Sequence, residues 1–242
     1  MEKTQIGTWC EIPTPYVTNI LADAGLDFVI LDMEHGVISF ETAQNMVFAA
    51  HAKGCKVYLR VPAIKEEYAL RALDIGSDGI VFPQVETRED VLKIVALSKF
   101  APVGERGFNP YITAGGFQSV SSDFFETENN RGELVVILES TKAFDNLDEI
   151  LACKEIDVVY IGQYDLSVSL NVPGQVQHPL VQEYLHRALI KISKSNKRAG
   201  CMVHSCAEAR VISQQGFDFL VYKADTGIVF SAFHDFVKEL NG

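Results

Sequence analysis

The chain has 242 residues, 48% of them hydrophobic, with a formal net charge of −11, enough for one large α/β domain with a substantial core. The acidic balance argues against a broad nucleic-acid surface, which needs clustered Lys and Arg, and no apolar run reaches the roughly 18 residues of a membrane-spanning helix. Met1–Gln5 lacks the apolar stretch of a signal peptide, and five cysteines (Cys10, Cys55, Cys153, Cys201, Cys206) without a C-x-x-C pair point to free thiols in a reducing cytoplasm.

Strand-like and helix-like segments alternate along the chain. A strand is expected at 5–10. Thr14 with Pro15 then opens a helix that Gly25 closes. The apolar run at 28–32 predicts a buried strand. Ser39, with Glu41 in the first turn, opens a second helix ended by Gly54. Strands follow at 56–61 and 79–82. Thr87 and Asp90 have capping-box spacing before a helix over Val91–Phe100. Residues 101–133, rich in Gly, Ser, Asn and Phe, are too long for a plain connection and point to a functional or interfacial role. Strands are expected at 134–139 and 157–161. Pro179 starts an amphipathic helix running to about Lys197. A strand at 199–203 precedes a helix capped by Ser205 and Glu208 and ended by Gly216. A last strand at 218–222 leads to a helix from about Ile228 to Leu240. It carries Ile228, Val229, Phe233, Phe236, Val237 and Leu240, enough apolar surface to pack on a partner. About eight strands, each followed by a helix, predict an α/β fold of the (β/α)8 TIM-barrel type, one domain over residues 1–242. A doubly wound sheet is the alternative, but no G-x-G-x-x-G follows the first strand.

In such a barrel the strand C-termini share one mouth, where chemistry collects. Asp32, Glu34 and His35 end or follow the second strand, Arg60 ends the third, Glu139 the fifth, and Asp165 follows the sixth. Glu139 and Asp165 are like charges that repel unless a cation lies between them. Oxygen ligands without a Cys/His cluster favour a hard divalent ion, Mg²⁺ or Mn²⁺. The structural alternative is an ion pair between Glu139 and Arg60. Arg60 offers a fixed positive charge for an enolate or alkoxide oxygen, or else a structural pair with Glu34. Histidine as a residue type suits proton transfer near neutrality, which makes His35 the candidate base; a hydrogen-bonded loop histidine is the plainer reading. His51, His178, His186 and His234 read as surface residues. His204 ends the seventh strand and is a candidate for the distal end of a substrate. Lys223 alone keeps Schiff-base chemistry open.

These residues stand in blocks that resemble the HpcH/HpaI aldolase family, metal-dependent pyruvate aldolases related to the citrate lyase β subunit. The resemblance runs from Gly7-Thr8-Trp9 nearly to the end of the chain. It passes through Asp32-Met33-Glu34-His35-Gly36, Leu59-Arg60-Val61-Pro62, Leu73-Asp74-Ile75-Gly76 and Gly79-Ile80-Val81-Phe82-Pro83. It continues with Gly104-Glu105-Arg106-Gly107, Leu138-Glu139-Ser140 and Ile161-Gly162-Gln163-Tyr164-Asp165-Leu166-Ser167, then Asn171-Val172-Pro173-Gly174 and His178-Pro179. It implies a barrel that exchanges its last helix between subunits, in a hexamer built as a trimer of dimers. It implies a divalent ion on Glu139 and Asp165, with His35 as general base acting with a metal-bound water. Arg60 would stabilise the enolate and aldol oxygens. Asp74 would support His35 across a subunit contact. Gly162, Tyr164 and Asp165 would hold the substrate, the backbone around Tyr164 and Asp165 receiving the pyruvate carboxylate. Two positions depart from the family pattern: Ile137 stands where close aldolases have Gln, and Gln163 follows Gly162 where they have Pro.

The expected activity is therefore a carbon–carbon lyase. It would cleave a 4-hydroxy-2-oxo acid to pyruvate and an aldehyde through a metal-bound enolate. Oxaloacetate decarboxylation and citrate-lyase-like thioester cleavage use the same enolate and are the rivals, although no adenine-nucleotide site for a CoA thioester is identifiable. A non-catalytic barrel is a third reading, against which the joint presence of His35, Arg60, Glu139 and Asp165 argues. Small-molecule 2-oxo acids and aldehydes are the expected partners, with no nucleic acid and no membrane.

Overall fold

A computed structural model of the protein describes residues 3–242; Met1 and Glu2, part of the stretch read for a signal peptide, lie outside the described residues. Eight parallel strands close a barrel in sequence order: β1 Gln5–Cys10, β2 Phe28–Asp32, β3 Lys56–Arg60, β4 Gly79–Phe82, β5 Glu133–Leu138, β6 Val158–Ile161, β7 Arg198–Val203 and β8 Phe219–Ala224. The helices are α1 Pro15–Asp23, α2 Phe40–His51, α3 Glu66–Asp74, α4 Arg88–Ser98, α5 Phe124–Arg131, α6 Thr141–Asp145, α7 Leu147–Leu151, α8 Gln163–Ser169, α9 Pro179–Ile192, α10 Cys206–Gln215 and α11 Asp225–Asn241. No described helix is long and apolar enough to cross a membrane.

The caps follow the sequence. The Thr14, Ser39 and Ser205 side chains accept from the backbone N–H of Tyr16, Thr42 and Glu208, and Thr87 with Asp90 completes a capping box. Gly216 ends α10 at φ 111°, a left-handed conformation only glycine adopts without strain.

Three helix bounds differ from expectation. The helix expected to reach Phe100 stops at Ser98, because Lys99 turns extended and its buried ammonium donates to the carbonyls of Asn129 and Gly132. The helix expected to reach Lys197 stops at Ile192, where the Ser195 hydroxyl takes the Ile192 carbonyl. The last helix starts at Asp225 rather than Ile228. Lys223 lies inside β8, at a positive φ of 48°. Residues 101–133 hold some regular structure: a 3-10 turn at Gly116–Gln118 precedes α5, Phe100, Phe108 and Phe125 pack edge on face, and Phe124 meets Phe125 edge-on and the other two at a tilt.

Alternation along each strand decides what faces the barrel axis. Trp9, Phe28, Ile30, Tyr58, Val81, Val135, Ile137, Val158, Tyr160, Phe219 and Val221 form the interior, while the other strand faces pack under the helices. Phe28 stacks on Phe219 with ring centroids 4.1 Å apart, and Tyr58 meets both edge-on. A Cβ on Gly7 would fall 2.3 Å from the Phe28 ring, so that position must lack a side chain. Below the rings, Glu133 accepts from the Tyr58 hydroxyl at 2.9 Å and pairs with Lys56 and Arg198. Aromatic packing and this charge cluster fill the barrel floor. The same alternation carries Arg60 after Tyr58, Glu139 after Ile137 and Gly162 after Tyr160 toward the open end.

Candidate active site

A cleft of about 220 Å³ opens at the C-terminal ends of the strands. Its lining includes His35, Arg60, Glu139, Gly162, Tyr164 and Asp165, with Trp9, Ile137, Tyr160 and Met202 as an apolar wall. Six of the seven residues to which the family resemblance gives a role therefore meet at one place. The seventh does not. Asp74 ends α3, where it accepts from the guanidinium of Arg106 at 2.9 Å. Burial raises its carboxyl above the usual range, against the opposing effect of Arg106.

The segment Asp32 to Gly36 has a local physical logic. Asp32 is fully buried and faces Arg60 across the β2–β3 register. Its carboxylate takes two hydrogen bonds from that guanidinium, from Nε at 2.9 Å and from Nη2. One of its oxygens also accepts the backbone N–H of Glu34 at 3.0 Å and of His35 at 3.2 Å. Burial alone would raise the Asp32 carboxyl, but the Arg60 contacts and these N–H groups outweigh it and hold it low. The chain then turns so tightly that a Cβ at Gly36 would lie 2.2 Å from the Asp32 carbonyl oxygen. One buried carboxylate thus fixes the arginine and the turn that bears the histidine.

Arg60 also lies 4.3 Å from the centroid of the Trp9 ring and 3.3 Å from a Glu34 oxygen. Sequence reasoning offered Glu34 as its structural partner; Asp32 holds it more directly. No ion pair joins Arg60 to Glu139 among the described residues, which removes that alternative. His35 stands at the rim, 67% exposed and 4.0 Å from Glu34.

Glu139 follows β5 and is largely buried. One carboxylate oxygen accepts the Gln84 backbone N–H at 2.7 Å. Burial pushes its carboxyl up to about 7, the Gln84 N–H opposes this, and the Asp165 charge adds to it. Its other oxygen lies where a Cβ on Gly162 would come within 2.8 Å, so glycine keeps that face of the carboxylate clear. Glu139 and Asp165, from the end of β5 and the first turn of α8, line one cleft, and two carboxylates there are a donor set suited to a hard divalent cation. Among the described residues no set of three His, Cys, Asp or Glu side chains converges on a metal position. An ion here would keep positions for water and for a chelating substrate.

Gln84 escaped the sequence reading. It follows β4 at a strained φ of 56°, its N–H serves Glu139, and its side-chain amide donates to Glu34 at 3.2 Å. It thereby ties the two acidic sides of the cleft together. The only signal was its place after a strand end. Gln163, noted as a departure from the family pattern, is 4% exposed and lines the cleft, and its amide oxygen has no hydrogen-bond partner. Of the histidines read as surface residues, His51 is hydrogen-bonded to Asp78 at 2.7 Å and His178 caps α9. Lys223 is not among the described lining residues, which include no lysine for Schiff-base chemistry.

The chain as a whole is similar to known proteins. The model of the HpcH/HpaI aldolase/citrate lyase family matches residues 5–232. A 5-keto-4-deoxy-D-glucarate aldolase of Shigella boydii serotype 18 is 31% identical over 231 residues, covering 96% of this chain and 90% of that protein. Among solved structures, an HpcH/HpaI aldolase from Desulfitobacterium hafniense DCB-2 superposes with a TM-score of 0.94 at 29% identity, covering 98% of this chain and 93% of that one. The citrate synthase SbnG superposes with a TM-score of 0.90 at 26% identity, covering 99% and 94%.

Proposed function

The chain belongs to the HpcH/HpaI aldolase/citrate lyase family, and we propose that this carbon–carbon lyase cleaves a 4-hydroxy-2-oxo acid to pyruvate and an aldehyde, or joins the two in reverse. The observation that carries the reading is the meeting of His35, Arg60, Glu139 and Asp165 around one cleft at the strand C-termini.

Glu139 and Asp165 would hold a divalent ion, Mg²⁺ or Mn²⁺. Bound there, it supplies Lewis-acid polarisation of the 2-oxo group. Tyr164 and Asp165, in the first turn of α8, lie where the substrate carboxylate would enter, and the first N–H groups of a helix lack intrahelical partners; Gly162 would line that approach without a free N–H, since its own goes to the Leu138 carbonyl. His35 takes the proton of the 4-hydroxyl. The C3–C4 bond then breaks, the hydroxyl carbon leaves as the aldehyde, and the electron pair is delocalised onto the 2-oxo oxygen. Arg60 meets that developing charge. A guanidinium has five N–H donors. Asp32 takes two and Glu34 faces a third nitrogen, so hydrogens remain for the substrate while the group cannot swing away. Return of the proton from His35 to C3 completes pyruvate. Asp74 would act on His35 only from a neighbouring subunit, in a homo-oligomer.

Incubation with pyruvate and Mn²⁺ in D₂O tests the reading directly. Exchange of the pyruvate methyl protons, lost with chelator and lost in Glu139→Ala, is the expected result. Exchange that persists in excess chelator, or an adduct trapped on a lysine by borohydride, would defeat it.

A further inference from the structure

The inner wall of the cleft holds a hydrogen-bond donor that the reaction as described does not use. Tyr160 sits near the end of β6, is 3% exposed and lines the cleft. Its ring is fixed by its neighbours inside the barrel. Trp9 meets it edge-on with ring centroids 5.6 Å apart. A Cβ on Gly200 would come 2.9 Å from the ring, so glycine keeps room for it on the β7 side. Ile137 is its register neighbour on β5.

An indole N–H can only donate, and Trp9 Nε1 donates to the Tyr160 oxygen at 3.4 Å. The hydrogen of the tyrosine itself is therefore directed elsewhere. Among the described residues the Trp9 contact is the only hydrogen bond of this hydroxyl, and its register neighbours, Ile137 and Gly200, bring no side-chain acceptor. A buried O–H without an acceptor is destabilising, and the open space that Tyr160 lines is the cleft. Burial raises the phenol above its usual range, so it stays a neutral donor. The phenol also interacts electrostatically with Arg60 and with Glu139, and Arg60 packs on the same Trp9 ring that donates to it. An oxygen held between Arg60 and the Glu139 side of the cleft thus has a second, uncharged donor within the same wall. A ketone oxygen accepts weakly and an enolate oxygen strongly, because hydrogen bonds to charged acceptors are about twice as strong. Such a donor contributes most as charge develops.

We propose that Tyr160 is a further catalytic residue: its hydroxyl, oriented by Trp9, donates to the 2-oxo oxygen of the substrate as that oxygen becomes the enolate. This rests on the aldolase reading above and gives the enolate a second donor beside Arg60. The hydroxyl keeps its proton throughout, since the proton that completes pyruvate comes from His35.

The test compares two ligands of the Mn²⁺-loaded enzyme by calorimetry. Oxalate, a planar dianion, stands in for the enolate, and pyruvate is the ketone reference, so a general loss of binding cancels in their ratio. In Tyr160→Phe the affinity for oxalate should fall about tenfold more than that for pyruvate, the scale of one lost hydrogen bond to a charged acceptor. The kcat of pyruvate methyl exchange in D₂O should fall about 10²-fold, the scale of one lost oxyanion donor, with KM little changed. A crystal structure of the wild type with Mn²⁺ and oxalate, which needs no variant to fold, should place an oxalate oxygen within hydrogen-bond distance of the Tyr160 hydroxyl. An unchanged oxalate-to-pyruvate ratio, equal weakening of both ligands, or a hydroxyl bonded only to water in that crystal would overturn the proposal while leaving the aldolase reading intact. Absence of methyl exchange in the wild type would instead remove the pyruvate reading, and this one with it.

Discussion

Arg60 enters the cleft with its charge already matched, and this sets what each neighbouring residue can do. Asp32→Asn should leave the N–H acceptor of the turn in place but remove the charge that locks the guanidinium. The expected result is a fall in kcat/KM of about 10²-fold and a lower Tm, since breaking a buried pair costs about 3–5 kcal/mol; kinetics and thermal melts read both. His35→Ala should lower kcat by about 10²–10⁴-fold, the worth of a positioned base. Arg60→Ala should lower kcat more than it weakens pyruvate binding, because its partner charge develops during reaction. Glu139 adds a pH dependence of known sign. Its carboxyl is raised in the folded protein to about 7 from 4.5. Its contribution to metal-free stability is therefore fully present below the unfolded value and is lost as pH rises through about 7. Glu139→Gln should melt higher than the metal-free wild type at pH 8, and the gap should close below about pH 4.5, as thermal melts across pH would show. Mn²⁺ affinity of the wild type, measured by calorimetry, should fall as pH drops through about 7, because proton and ion compete for one carboxylate. Charged residues at strand ends were legible in the sequence because period-two alternation fixes where they point. Gln84 was not, because its role depends on a left-handed backbone that no residue pattern announces.

At the level of elements, strands and caps were legible because apolar runs and Ser, Thr and Gly punctuation act locally. Helix ends at Ser98 and Ile192 were not, since tertiary hydrogen bonds from Lys99 and Ser195 set them. The β6–α8 junction shows how little freedom a site-bearing turn has. Gly162 donates its N–H to the Leu138 carbonyl and sits against Glu139. A methyl group there must displace the carboxylate. Gly162→Ala should keep the fold, judged by circular dichroism, while weakening Mn²⁺ binding at least tenfold by calorimetry. Retention of wild-type affinity would show that the glycine does not guard the carboxylate.

For the whole molecule, α11 is the element that one chain does not satisfy. Asp225 roots it, accepting N–H bonds from Glu11 and Ile12, and a thiol contact from Cys10. Beyond that root, Phe230, Phe233, Phe236 and Leu240 are between 63% and 72% exposed, more aromatic surface than a lone soluble chain usually presents. A homo-oligomer that covers this helix, a hexamer by family resemblance, is the expected state. Sedimentation of the wild type against Phe233→Asp with Phe236→Asp should show the double variant smaller; a wild type that is active as a monomer would refute it. The barrel floor carries a different consequence. With Tyr58, Glu133, Lys56 and Arg198 sealing the lower end, the cleft is a blind well with a single door. On the proposed reading the oxo-acid half would sit at the bottom beside Glu139 and the aldehyde half nearest the exit, so the expected order of release is the aldehyde first and pyruvate last. Inhibition of cleavage by pyruvate should therefore be competitive with the substrate, and inhibition by the aldehyde noncompetitive.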